Sequence, residues 1–244
     1  MTYCVGLAVD TGLVMLSDSR TNAGVDQINT FRKMTIFPHA ADRVLVLMSA
    51  GNLAITQAVV NLLETPEDAG KPTAFLSASN MFNAARVVGE ALRVIHQRDA
   101  EDLKEHGHEF NGTFILGGQI KGEEPRLFHI YSAGNFIESS IETPYFQIGE
   151  SKYGKPIIDR VITRSSSLGT AAKCALVSMD STIRSNISVG PPLDLAIMKR
   201  GEFRLATHIS IEMDNRYFTM IRDRWGQALQ EVFSELPNPE WVSP

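Results

Sequence analysis

Cysteine is scarce: 244 residues carry only Cys4 and Cys174. That excludes a disulfide framework and a Cys-x-x-Cys metal or redox motif, and both thiols read as buried packing. Basic excess is also missing. The net charge is −5, which argues against nucleic acid as the main partner, because phosphate binding needs a basic patch. No apolar run reaches the length that spans a bilayer, so no membrane role is expected. The N-terminus lacks a basic stretch followed by a long apolar one, which places the expected location in the cytoplasm. There is no Gly-rich phosphate loop and no Gly-x-Ser-x-Gly elbow. The six histidines form no ligand set, and His106-x-His108 reads as solvated linker. No metal and no cofactor is therefore implied.

What is present is an ordinary globular composition, 43% hydrophobic and 21% charged. The length suits one domain over residues 1–244, with an irregular Pro-rich tail from 236 to 244. Residues 2–9 and 13–18 read as strands about an Asp10-Thr11-Gly12 turn, and 28–37 reads as a third strand. Apolar residues at 54, 55, 58, 59, 62 and 63 mark a helix over 52–64. A longer helix covers 76–98, and the charged stretch 99–110 is either its extension or a loop. Strands are expected at 113–120, 126–132, 136–140 and 145–149. A helix starts near Pro156, and another spans 167–184 behind a serine cap at 165–167. Strands at 193–199, 203–213 and 216–222 precede a last helix to about 235. Strands and helices alternate in blocks, which fits two stacked antiparallel sheets between helix layers better than one parallel sheet.

Thr2 follows Met1 directly. A penultimate threonine is small enough for the initiator methionine to be removed, leaving threonine first. Such a residue carries a hydroxyl nucleophile and, in its own α-amine, a base. The amine titrates near pH 8, roughly 7.7–8.0, close to working conditions. In a hairpin whose partners sum to about 22, Thr2 faces Arg20 and lies diagonal to Asp18, roughly 7–8 Å away. Lys33 is the candidate bridge. An ammonium near the threonine oxygen favours the alkoxide, and Asp18 holds that ammonium charged and in place.

Thr2, Ser17-Asp18-Ser19-Arg20, Arg32-Lys33 and Ser49-Ala50-Gly51 together resemble the catalytic half of a proteasome-type β-subunit, one of the N-terminal nucleophile hydrolases. The stretch SDSRTNAGVDQINTFRKM and the C-terminal length are most similar to the bacterial ancestral-beta-subunit branch, Anbu. The resemblance implies an α+β, four-layer α-β-β-α sandwich. It implies Thr2 as nucleophile, Asp18 and Lys33 as its activating pair, and the Gly51 N–H as oxyanion donor. By position, Thr21, Asn22, Phe31, Thr35, Ser49 and Leu53 resemble the substrate pocket. Asn22 stands where the family has threonine. The family's Gly-Ser-Gly appears as Ile148-Gly149-Glu150-Ser151, with Glu150 or Ser151 as the serine's counterpart and Ser151 preferred. Its Asp-x-x-Ser pair is represented by Asp180, with Ile183 at the serine and Ser181 or Ser185 as substitutes. The resemblance further implies identical subunits in stacked rings or a helical assembly, a peptide substrate, and room for an ATPase or unfoldase partner. Two other readings share these residues: a ring-forming scaffold with vestigial catalysis, and an amidase for a small metabolite.

Overall fold

The computed structural model describes residues 2–22, 28–37, 41–66 and 73–241. The chain opens with β1 (Tyr3–Val9) and β2 (Gly12–Asp18), both buried throughout. Their ladder pairs Cys4 with Ser17 and Val9 with Gly12. The partners therefore sum to 21, one less than expected from the sequence. The turn is the two residues Asp10-Thr11, and Gly12 is already ladder. Backbone crowding explains the shift. A Cβ on Gly12 would lie 1.9 Å from the Met198 carbonyl, so the glycine is required inside the sheet.

The expected strand over 28–37 is two strands. β3 (Arg20–Asn22) pairs with β4 (Ile28–Thr30), while β5 (Met34–Ile36) joins a different sheet. The residues between them, 31–33, cross from one to the other. β6 (Arg43–Gly51) then leads into α1 (Leu53–Glu64), whose Asn52 cap accepts from the Ala54 amide. α2 (Met81–Glu105) begins at its Asn80 cap and absorbs most of the charged stretch. β7 (Gly112–Ile120), β8 (Arg126–Ile130), β9 (Phe136–Glu138) and β10 (Tyr145–Gly149) follow, then α3 (Lys155–Val161) and α4 (Leu168–Ser185). Ser167 caps α4, accepting from the Thr170 amide.

β11 (Leu193–Lys199) and β12 (Leu205–Ile211) complete the strands. The strand expected over 216–222 is instead the start of α5 (Arg216–Glu235). Its aromatic and β-branched residues suggested a strand. The Asn215 side chain accepts from the Tyr217 and Phe218 amides, and Phe218 and Ile221 are buried at helical spacing.

The first sheet runs β10-β1-β2-β11-β12 and the second β5-β6-β7-β8-β9, each antiparallel throughout. Alternate residues of each strand feed two cores. Tyr3, Val5, Leu7, Val14 and Leu16 pack outward on Ile158, Ala171, Ala175 and Phe218 of the helices. Cys4, Ala8, Leu13 and Met15 pack inward on Val46, Met48, Ile115 and Leu127 of the second sheet. α1 and α2 cover that sheet's far face through Val59, Val88 and Leu92. The layers are helix, sheet, sheet, helix. No described helix is long and apolar enough to cross a membrane.

Candidate active site

Thr2 precedes β1 and is 8% exposed. Both sides of it are tied down. Its carbonyl accepts the Glu150 amide at 2.7 Å, and the next amide, that of Tyr3, donates to Asp18 Oδ1 at 3.0 Å. Gly149 allows the first tie. It has φ +81°, and a Cβ there would meet the Thr2 carbonyl oxygen at 1.9 Å. The Tyr3 hydroxyl is anchored below by Ser178 of α4 and Gln147 of β10.

Asp18 ends β2 and is fully buried. Lys33, buried in the crossing stretch 31–33, places Nζ 2.6 Å from Asp18 Oδ1 and 2.6 Å from the Arg20 carbonyl. Asp18 Oδ2 accepts the Gly190 amide at 3.3 Å. Burial pushes the Asp18 carboxyl above the ordinary carboxylate range, and the Lys33 ammonium and the two amides oppose that push. Ser49 joins the same neighbourhood. Its amide donates to the Lys33 carbonyl at 2.9 Å, and its carbonyl lies 3.7 Å from the Cys4 thiol. Gly51 closes β6 with φ +116°, where a Cβ would lie 2.3 Å from the Asn111 carbonyl. Thr2, Asp18, Lys33 and Ser49 are thus linked by hydrogen bonds through adjacent residues, with Gly51 at the end of the same strand.

The other expected residues divide. Ser151 accepts Gln147 and the Lys155 amide through its carbonyl, next to the Glu150 tie. Glu150 points its carboxylate at Lys152. Asp180, buried on α4, pairs with Arg184 at 3.2 Å and Arg222 at 2.8 Å, and none of its bonds reaches Thr2, Asp18 or Lys33. It joins α5 to α4 instead. Thr35, Ser49 and Leu53 line a cleft of about 170 Å³ with Arg32, Thr56, Asn61 and Glu64. Thr21 bonds the Asn29 carbonyl and Phe31 is 41% exposed, and neither lines that cleft. The Asn22 side chain and Met1 lie outside the described residues, as do 23–27 of the quoted motif. A larger hollow of about 990 Å³ opens by the Asp10 turn, at the far end of the sheets, among Glu123, Arg126 and Arg164. None of the expected site residues lines it. Among the described residues, no group of His, Cys, Asp and Glu is placed to hold a metal ion.

Three contributors escaped sequence reasoning. The Gly190 amide and the Arg20 carbonyl are backbone groups, which no residue pattern displays. Arg20 also donates to the Ile187 carbonyl at 2.8 Å, bracing the loop that carries Gly190. The third, Asp194, binds Arg32.

No family model matches the chain. It is 26% identical over 211 residues to "Proteasome subunit beta 2" of Nitrosopumilus maritimus, covering 84% of this chain and 90% of that protein. Fold and relatives together define a proteasome-like protein of the N-terminal nucleophile hydrolase type. Among solved structures it is similar to Anbu (ancestral beta-subunit) from Yersinia bercovieri, at 49% identity and TM-score 0.90 over 98% of this chain and 100% of that one. An Anbu (Gly-1) mutant from Hyphomicrobium sp. strain MC1 gives 47% and 0.90, over 98% and 100%. The "Helical Assembly of the Anbu Complex" from Pseudomonas aeruginosa gives 42% and 0.90, over 99% and 100%. The chain belongs to the Anbu family of proteasome-type β-subunits.

Proposed function

We propose that the chain is a threonine-type amide hydrolase acting on peptides. With Met1 removed, Thr2 Oγ attacks the substrate carbonyl and its proton passes to the Thr2 α-amine. The C–N bond then breaks, the leaving amine takes that proton, and an ester on Thr2 remains. Water, deprotonated by the same amine, releases the acid and restores the hydroxyl. Lys33 favours the alkoxide electrostatically, Asp18 positions Lys33, and the Gly51 N–H meets the oxyanion. The observation that carries this reading is Lys33 Nζ held between Asp18 and the Arg20 carbonyl, with Asp18 also bound to the amide next to Thr2.

The cleft of about 170 Å³ beside Ser49 supports small substrate side chains. Ser49→Leu should then suppress peptide turnover while Thr2 stays reactive, and unchanged turnover would remove that assignment. Homo-oligomeric assembly, in the cytoplasm, is part of the reading. It is supported by the helical assembly of the Pseudomonas aeruginosa relative and by an apolar row on α5. An ATPase or unfoldase partner that delivers the substrate belongs to the same reading.

The deciding experiment is the intact mass of the expressed protein with and without a threonine-directed β-lactone. Loss of Met1 and one adduct on Thr2 supports the hydrolase. Retained Met1, or a free Thr2 that never reacts, refutes it. A second reading, a scaffold with vestigial catalysis, is favoured by Asp180, whose bonds all go to α4 and α5. Thr2→Ala separates them, because a scaffold keeps its function.

A further inference from the structure

Two consecutive cations leave the stretch between β4 and β5, and a buried aspartate of the first sheet receives each. Lys33 goes to Asp18. Arg32 Nη1 donates to Asp194 Oδ1. Asp194 lies on β11 opposite Ser17, the residue before Asp18 on β2. The two carboxylates therefore sit on neighbouring strands, one residue out of step.

Asp194 is unfavourable where it is. Its side chain is 2% exposed, and its Oδ2 has no hydrogen-bond partner among the described residues, nor has Ser17 Oγ beside it. Arg32 is more than half exposed, so it shields the pair poorly. On the inward face around Asp194 lie the apolar Cys4, Met15, Ala196 and Met198, with Ser210 opposite it on β12 and His208 near enough to act on its charge. A half-satisfied buried carboxylate in such a setting is often less stable than an apolar replacement. Residues that violate folding rules in this way concentrate at functional sites.

The pair acts on a short segment between two strands. Phe31 is anchored by its amide to the Ser19 carbonyl at 2.8 Å, and Lys33 by its carbonyl to the Ser49 amide at 2.9 Å. Between them, Arg32 is tied through its side chain to Asp194. We propose that Asp194, acting through Arg32, is a positioning residue that fixes the backbone at 31–33 and so aims the Lys33 ammonium at Thr2. The proposal rests on the hydrolase reading for its purpose. Its geometry can be tested without that reading.

The test compares Asp194→Leu, Arg32→Met and the double variant by three measurements: thermal unfolding, the rate of β-lactone addition to Thr2, and acetylation of Lys33 by acetic anhydride, resolved by peptide mass. Asp194→Leu should unfold at or above the wild-type temperature. Thr2 should label about tenfold more slowly and Lys33 should acetylate about tenfold faster, since small misplacements of a catalytic group have effects of this size or larger. Arg32→Met should match both changes, and the double variant should be no worse than either single one. Should Asp194→Leu fail to fold, Arg32→Met carries the same test. Unchanged Lys33 protection in Arg32→Met, or losses that multiply in the double variant, overturns the proposal. A wild type unlabelled at Thr2, with Lys33 still unmasked in the variants, refutes the hydrolase reading and leaves the positioning role standing.

Discussion

Gly190 donates its amide to Asp18 Oδ2 across 172 residues of chain, at 3.3 Å. The loop after α4 thereby supplies a donor to the carboxylate's second oxygen, while Tyr3 and Lys33 both donate to the first. A fully buried aspartate is stable as an anion only when such donors replace its water.

Removing the cation exposes that dependence. Lys33→Met should cost about 3–5 kcal/mol of stability at neutral pH, because it leaves Asp18 buried without its ammonium. The sign with pH follows. Asp18 is already pushed up by burial, and more so without Lys33, so the folded form holds its proton to higher pH than the unfolded chain. The loss should therefore shrink on acidification. Urea unfolding of both proteins at pH 5 and pH 8 checks it, and a loss that grows at low pH would contradict this account.

Gly149 controls the placement of Thr2. At φ +81°, an alanine costs roughly 1–2 kcal/mol for the backbone alone, before its Cβ meets the Thr2 carbonyl. Gly149→Ala should lower the melting temperature and abolish β-lactone labelling together. Full labelling in a folded Gly149→Ala would mean that the tie between Thr2 and Glu150 is dispensable.

His129 gives the fold an acid-sensitive point. It lies on β8 against Tyr131 and Phe146, with ring centroids at 4.3 and 5.6 Å, and its buried Nε2 has no partner among the described residues. Burial holds its pKa below the ordinary value. The unfolded chain therefore binds a proton first as pH falls through about 6.5, and stability from this residue, present above that pH, is lost below it. His129→Phe should keep more of its pH 7.5 stability at pH 5.5 than the wild type does. Parallel pH dependence in the two proteins would show that His129 binds its proton equally well in the folded and unfolded states, contrary to this account.

The far half of α5 carries Leu229, Val232 and Phe233, all more than half exposed. Its buried residues, Phe218 and Ile221, are confined to the first turns. Exposed apolar rows of this kind mark association surfaces. Phe233→Glu should shift sedimentation toward smaller species without changing the melting of the isolated subunit. Sedimentation identical to wild type would place the assembly contacts elsewhere.

Short-range physics made much of this protein legible in its sequence. Continuous apolar runs about the Asp10-Thr11-Gly12 turn marked β1 and β2, which are buried on both faces, and 3.6-residue stripes marked α1, α2 and α4, which bury one face each. The Thr2, Asp18 and Lys33 grouping was visible because a hairpin and one following segment bring them together. The register needed the structure, since Gly12 belongs to the ladder only because β11 packs against its backbone. The start of α5 needed it too, since capping by Asn215 and burial of Phe218 outweigh strand propensity there. Asp180 was legible as a candidate, but its pairing with Arg184 and Arg222 needed the structure. Gly190 and Asp194 were unreadable for a different reason. Their partners, Asp18 and Arg32, lie more than 160 residues away, and only the stacking of β11 beside β2 brings them near. Sequence alone determined which side chains and segments could gather around Thr2, the proposed nucleophile. Tertiary structure decided which donors complete the buried carboxylates, because a charge removed from water depends on whatever groups the fold delivers to it.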